Sequence, residues 1–287
     1  MTTSTTARLV ARDGTDLLTR HWAPVGEPWA TILLVHGIAE HSGRYEQVGR
    51  QLAEAGLVVH AYDQRGFGGS SGRRAFVERW TQNLDDLDDV LTRARTASAG
   101  QPVVVFGHSL GGLLALGHAV ADPARPLPDA LVLSAPALDA TIPGWKRALA
   151  RVLGTVAPTM TLKNDFDGAL LSRDPAVGID YLADPLNQHV TTVGFGAAAI
   201  AEQARVRGAL GRLSIPALVY HGEADTLVPT ASSESLAAVG GVTRRTYPNL
   251  RHEGHNEPEG PAVIGDVIDW LRAKVGETGP GARLGGN

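Results

Sequence analysis

Ten residues, Val103 to Gly112 (VVVFGHSLGG), limit what this 287-residue chain can fold into more than any other stretch does. Their β-branched, apolar start predicts a buried strand, which runs directly into Gly107-His108-Ser109-Leu110-Gly111, a G-x-S-x-G sequence, and then into a small-residue helix. A serine on so tight a turn sits in strained backbone geometry. The residues two before and two after it must therefore lack a Cβ that would strike the neighbouring strand and helix, and Gly107 and Gly111 meet that need. The turn lifts the Ser109 hydroxyl clear of the sheet and aims the backbone N–H of Leu110, at the helix N-terminus, toward any oxyanion formed beside it. A plain glycine turn with Ser109 as a helix cap would share the five residues, but it would not require the apolar strand before them and the helix after them.

The rest of the chain keeps the same rhythm. Ala7 to Arg12 and Asp16 to Trp22 alternate about Asp13-Gly14 and predict an opening antiparallel hairpin. Thr31 to Val35 is a continuous apolar run ending at His36-Gly37; a helix from about Arg44 to Ala55, a strand Leu57 to Tyr62, a helix Asn83 to Thr96 and a strand Ala130 to Leu133 are then expected. This alternation predicts an α/β fold with a mostly parallel, doubly wound central sheet and helices on both faces. From 137 to 201 the rhythm stops. There Trp145, Leu149, Val152, Leu153 and Val156 form an amphipathic helical stripe, and Asp174-Pro175 and Asp184-Pro185 break the chain. We expect a helical cap inserted over the carboxyl edge of the sheet. If part of its stripe faces solvent, it offers a transient landing surface to a membrane or lipid aggregate. A helix Ala201 to Leu210, a strand Pro216 to Tyr220, a helix near Ser232 to Val239, a strand Arg244 to Tyr247 and a helix Pro261 to Val275 return to the core pattern. The expected division is 1–136 with 202–275 as core, 137–201 as cap and 276–287 as a disordered tail.

A serine hydroxyl is a weak nucleophile. It needs a base, and the base needs a carboxylate to fix its tautomer. Asp225 follows the apolar run ALVY in His221-Gly-Glu-Ala-Asp225 and is favoured as the acid on that ground; Glu223 and Asp139 are the other loop carboxylates open to the role. With the chain order serine, acid, histidine that accompanies this kind of turn, the base lies beyond Asp225 and is His252 or His255, of which we select His252. His36, His41, His60 and His108 read as hydrogen-bonding elements of strand ends. Ile38, after the first buried strand, is the candidate for a second oxyanion donor through its backbone N–H. With Leu110 it would supply roughly 3 kcal/mol or more of transition-state stabilisation. His252-x-x-His255 lacks a third metal ligand nearby, so neither a metal nor a cofactor is expected.

Composition removes other classes. Lys and Arg total 26 against 30 Asp and Glu, a net charge of −4 without a basic run, which argues against nucleic acid as a partner. The absence of cysteine excludes disulfides, a thiol nucleophile and thiolate metal sites. Residues 1–14 contain no apolar signal core and no window is long enough to span a membrane, so a cytoplasmic, unprocessed protein is expected.

Several motifs together resemble one family: His36-Gly-Ile-Ala-Glu-His-Ser-Gly-Arg-Tyr45, Tyr62-Asp-Gln-Arg-Gly-Phe-Gly-Gly-Ser70, Gly107-His-Ser-Leu-Gly-Gly112, Leu133-Ser-Ala-Pro136, His221-Gly-Glu-Ala-Asp225, and Tyr247-Pro-Asn-Leu-Arg-His-Glu253 with Asn256-Glu-Pro-Glu259. They are similar to those of the bacterial monoacylglycerol lipases of the α/β-hydrolase superfamily, and the resemblance runs from about residue 8 to 274. It takes in Asn164-Asp-Phe166 and Ser172-Arg-Asp-Pro175 in the cap. What it implies is a cofactor-free serine hydrolase with Ser109, Asp225 and His252 as its triad and Ile38 and Leu110 as its oxyanion hole. It also implies that Glu40, Arg44 and His255 make polar contacts to a glycerol head group, the substrate being a monoacylglycerol or another small acyl ester. A second or third acyl chain would leave such groups desolvated and unpaired. On the residues alone, Glu40 and Arg44 could equally be a helix-entry ion pair worth about 0.3–0.5 kcal/mol. Ile38 and Gly254 depart from the residues often found at those positions, which bears on acyl and head-group preference. The alternatives are a broader carboxylesterase or lysophospholipase, an aminopeptidase needing an acidic cluster for the substrate amine, and a non-catalytic binding protein on the same scaffold.

Overall fold

Alternate residues of the apolar runs point to opposite faces of one sheet, and each face is covered. In the computed structural model, which describes residues 3–139, 143–163 and 167–276, eight strands are ordered β1-β2-β4-β3-β5-β6-β9-β10. They are β1 Thr5–Val10, β2 Asp16–Trp22, β3 Ala30–Val35, β4 Leu57–Tyr62, β5 Val103–His108, β6 Ala130–Ser134, β9 Ala217–Gly222 and β10 Val242–Tyr247. The opening hairpin β1–β2 and the β2–β4 pair are antiparallel, and every other pairing is parallel. Ile32, Leu34 and Val104 pack under α1 (Glu46–Glu54) and α7 (Gly260–Leu271). Leu33, Val35 and Val105 pack under α2 (Thr81–Ala97) and α3 (Leu110–Ala119). This two-sided burial is why these strands read as unbroken apolar runs; each such side chain contributes about 1.5–3 kcal/mol relative to leaving it in water.

Between β6 and β9 the chain leaves the sheet through α4 (Gly144–Val156), a short antiparallel pair β7 (Thr161–Lys163) and β8 (Val190–Thr192), α5 (Pro175–Ala183) and α6 (Val193–Ala209). The pair had no sequence signal, because three residues are too few to establish a period and all of β7 is exposed. The helix expected from Ala201 begins at Val193 instead. Thr192 caps it by accepting from Phe195 N, and both Val193 and Phe195 are buried, so a division at 202 falls inside one continuous helix. Two further boundaries differ. Ser42–Tyr45 is a 3-10 turn capped by His41 before α1 begins, and Thr230–Ala238, read as an ordinary helix, is 3-10 throughout. The Asn164-Asp-Phe166 motif and residues 277–287 of the expected tail lie outside the described residues.

The segment is tied to the loops at the sheet's carboxyl edge. His41 Nε2 meets Asp184 Oδ2 at 2.9 Å, Tyr181 Oη donates to Ala39 O at 3.1 Å and Gln188 N to the same carbonyl at 2.9 Å. On α4, Trp145, Leu149, Val152 and Val156 are 48% to 71% exposed, so most of the apolar stripe faces solvent rather than the core. No helix among the described residues is long and apolar enough to cross a membrane.

Candidate active site

The junction of β5 and α3 leaves Ser109 at φ 52°, ψ −114°, a conformation that costs a non-glycine residue about 1–3 kcal/mol. Three backbone bonds hold it there: Ser109 N to Ser134 O at 2.9 Å, and Leu113 N and Ala137 N to Ser109 O at 3.1 and 3.0 Å. Close packing leaves no room for side chains beside the turn. A Cβ on Gly107 would collide with the Gly111 carbonyl, and one on Gly111 with the Val35 carbonyl, so both glycines are required by contact with backbone.

Ser109 and His252 line one cavity of about 330 Å³, together with Ile38 and Leu110. His252 Nδ1 lies 2.7 Å from Asp225 Oδ2. The other Asp225 oxygen accepts from Leu227 N and Val228 N, both at 2.9 Å. Burial pushes the Asp225 carboxyl upward, but hydrogen bonds from His221 and His252 outweigh it and hold the group well below the usual carboxylate range. Asp225 is the carboxylate hydrogen-bonded to His252; Glu223 accepts from Thr246 Oγ1 on the surface, and Asp139, which lines the same cavity, pairs with Arg147 at 2.7 Å. Among the described residues no group of three His, Asp or Glu side chains is placed to hold a metal ion. A larger hollow, about 590 Å³ between the opening hairpin and α2, includes none of the site residues.

The loop after β3 is clamped by Glu40. Its Oε1 accepts from Gly37 N at 2.5 Å and from Tyr45 Oη at 2.8 Å, while Ala39 takes a positive φ of 66°. Glu40 Oε2 accepts from Arg44 Nη1 at 2.5 Å, and Arg44 also makes a forked pair with Glu253 at 2.6 and 2.8 Å. Glu40 and Arg44 thus form the ion pair that their spacing allowed, and they also line the cavity. His255 does not. It lies behind His108, its ring stacked on Tyr45 at 5.2 Å and set edge-on to His108 at 4.9 Å, and it is 2% exposed. The contact expected of His255 therefore has no surface to be made on: the close-packed rings of His108 and Tyr45 occupy its surroundings. His108 also packs against His252, at 4.7 Å between ring centres.

Sequence reasoning missed three residues here. Glu253 lines the cavity as the bidentate partner of Arg44, and its position next to the chosen base was the available signal. Tyr181 lines it from α5 with the Arg44 guanidinium 4.9 Å above its ring, in a stretch without periodic signal. His221 reaches Asp225 from β9.

Burial pushes the His255 imidazole down to about 4 against the attraction of Glu253 and Glu40, and His60 on β4 is likewise pushed down to about 4 by burial and by nearby His21. Both values lie below the free-histidine value of about 6.5, so the unfolded chain takes up more protons on acidification. Stability present above about pH 6.5 is therefore lost as pH falls toward 4. The urea midpoint is expected to drop across that window, and to drop less in His60→Gln; an identical slope in the two proteins would contradict the assignment.

Comparison with known proteins gives a consistent set of likenesses. A family model described as serine aminopeptidase, S33 matches residues 26–259. The chain is 36% identical over 256 residues to the monoacylglycerol lipase of Mycolicibacterium smegmatis, across 87% of this chain and 90% of that protein. It is 33% identical over 281 residues to the monoglyceride lipase of Homo sapiens, across 94% and 91%. Among solved structures, the monoacylglycerol lipase of Paleococcus ferrophilus matches with a TM-score of 0.79 at 30% identity, over 91% of this chain and 99% of that one.

Proposed function

This chain belongs to the serine aminopeptidase S33 family of α/β-hydrolases, alongside monoacylglycerol lipases, and from that premise we propose that it hydrolyses monoacylglycerols to fatty acid and glycerol. Ser109 Oγ attacks the ester carbonyl while His252 takes its proton; the same imidazolium then protonates the departing glycerol oxygen. Water activated by His252 attacks the acyl-enzyme, releases the fatty acid and restores the serine. Asp225, on Nδ1, holds His252 in the tautomer that leaves Nε2 free as a base. The N–H groups of Leu110 and Ile38 receive the charge of the tetrahedral intermediate.

The observation that carries the substrate class is the mixed lining of the cavity. Ile38, Leu110, Leu171, Ala199, Ile200 and Val228 make apolar walls, while Glu40, Arg44, Tyr181 and Glu253 bring charge and hydroxyl to the lining. An acyl chain fits the first set and free glycerol hydroxyls the second. A diacylglycerol would set a second chain against this charged wall, stripping it of water without offering a hydrogen bond in return. The aminopeptidase reading has weaker support, because both buried carboxylates that could receive an amine are already paired to Arg44. The segment between β6 and β9 acts as the cap, and the exposed apolar face of α4 is where the enzyme meets a membrane or lipid aggregate.

The test is glycerol release from a medium-chain monoacylglycerol beside the matching di- and triacylglycerol. Turnover of the monoester alone is expected. Cleavage of simple esters without any preference for glycerol would reduce the enzyme to a general carboxylesterase and return Glu40 and Arg44 to a structural role.

A further inference from the structure

The carboxylate behind the base has a second imidazole on it. His221, at the end of β9 and fully buried, places Nε2 3.1 Å from Asp225 Oδ2, the same oxygen that His252 Nδ1 contacts at 2.7 Å. His221 Nε2 is also 2.8 Å from the carbonyl of Val228. Both neighbours are acceptors, so Nε2 carries a proton and donates. On the other side of the ring, Nδ1 is 3.1 Å from Ser233 Oγ, which accepts from Arg244 Nε at 3.0 Å and lies 2.9 Å from Thr230 O. Arg244 Nη2 donates to that same carbonyl at 3.0 Å. With Nε2 protonated, Nδ1 of the neutral ring accepts the Ser233 proton, and Thr230 O keeps its bond from Arg244, so no partner is stranded and Nε2 donates to Asp225.

We infer that His221 is a positioning residue for the reaction: it fixes the Asp225 carboxylate in the orientation that serves His252 and draws off part of the charge that His252 feels. The inference rests on the triad reading above. His221 does not line the cavity and acts through Asp225 alone. The charged and titratable groups of this network are Asp225 and His252, on the loops after β9 and β10, His108 at the end of β5, whose ring packs on His252, and Arg244, which acts through Ser233. With the Asp225 side chain wholly inaccessible to water, no solvent molecule can replace a lost donor without rearrangement. The hydrogen bond from His221 is also one of the two from side chains that, with backbone donors, keep this carboxyl ionised against its burial.

The experiment compares His221→Leu, His221→Gln and Ser233→Ala with the wild type and Ser109→Ala, measuring kcat, KM and the pH dependence of kcat/KM on a soluble medium-chain ester, with thermal unfolding alongside. His221→Leu is expected to lower kcat about tenfold or more at little change in KM, and to move the acid limb of the profile to higher pH. With one donor fewer, Oδ2 offers more negative charge to the His252 imidazolium and makes it harder to deprotonate. The amide of His221→Gln restores a donor and should bring both readouts most of the way back. Ser233→Ala, which frees Nδ1 without removing the ring, should give a smaller shift of the same sign and carries the test if His221→Leu does not fold. An unshifted acid limb in folded His221→Leu and Ser233→Ala overturns the inference, as does equal loss in the Leu and Gln variants with lowered melting, which is what packing alone would produce. If Ser109→Ala still turns over, the triad reading fails and takes this inference with it.

Discussion

Ser109→Ala should lose at least about a thousandfold, and up to about a millionfold, in kcat while the protein stays folded. The magnitude follows from what is removed. Without the hydroxyl there is no covalent intermediate, and only the oxyanion donors and substrate binding remain to stabilise attack by water. The fold should hardly notice, because alanine fits the space and the bonds that hold the turn come from the Ser109 backbone. A companion variant separates strain from chemistry. Ser109→Gly removes the side chain from a φ of 52°, so relief of about 1–3 kcal/mol of backbone strain is set against about 0.5–1 kcal/mol of extra chain entropy. It should be equally inactive and melt no lower than Ser109→Ala. Labelling by a fluorophosphonate, followed by mass spectrometry of the peptide containing Ser109, checks the assignment directly. Wild-type protein that resists the label, or Ser109→Ala that accepts it, would remove Ser109 from the chemistry.

Much of the sheet could be read from the sequence because its strands are buried on both faces, which makes runs such as TILLV at 31–35 stand out. The elbow was legible for a different reason: two glycines pressed against backbone and one strained serine leave few other sequences for that turn. What could not be read was side-chain direction. His255 and Glu253 are two residues apart in one loop, yet only Glu253 lines the cavity while His255 turns back onto Tyr45. Residue type and spacing do not distinguish those outcomes; packing between the loops after β3, β5 and β10 decides them. The same holds for His221, whose role depends on β9 and the 3-10 turn at Thr230–Ala238 meeting behind Asp225. The exposed face of α4 was legible as a stripe but not as a surface, since the same spacing suits a helix packed inward.

The opposite kind of effect, on the fold and not on the chemistry, should follow from one methyl group at Gly111. A Cβ there would lie inside contact distance of the Val35 carbonyl oxygen and 2.6 Å from that of His36, where β3 passes beneath the start of α3. These are backbone atoms of a buried strand, so no rotamer change can make room. Either α3 lifts from the sheet or β3 shifts in its register with β4 and β5. Gly111→Ala is therefore expected to cost at least about 3 kcal/mol, more than an ordinary overpacked core substitution, and to lower the thermal midpoint or prevent soluble expression. Activity should fall with it, because both proposed oxyanion donors stand on the elements forced apart. Gly265 supplies the control. It lies within α7 with nothing within 4 Å of an added Cβ and without a positive φ, so Gly265→Ala should stabilise the protein by about 0.5–1 kcal/mol. Urea denaturation of the two variants decides the matter: opposite signs of the change in midpoint support contact with β3 as the reason for the glycine, whereas a neutral Gly111→Ala would mean that the elbow tolerates a side chain and that its close packing is not what holds Ser109 in place.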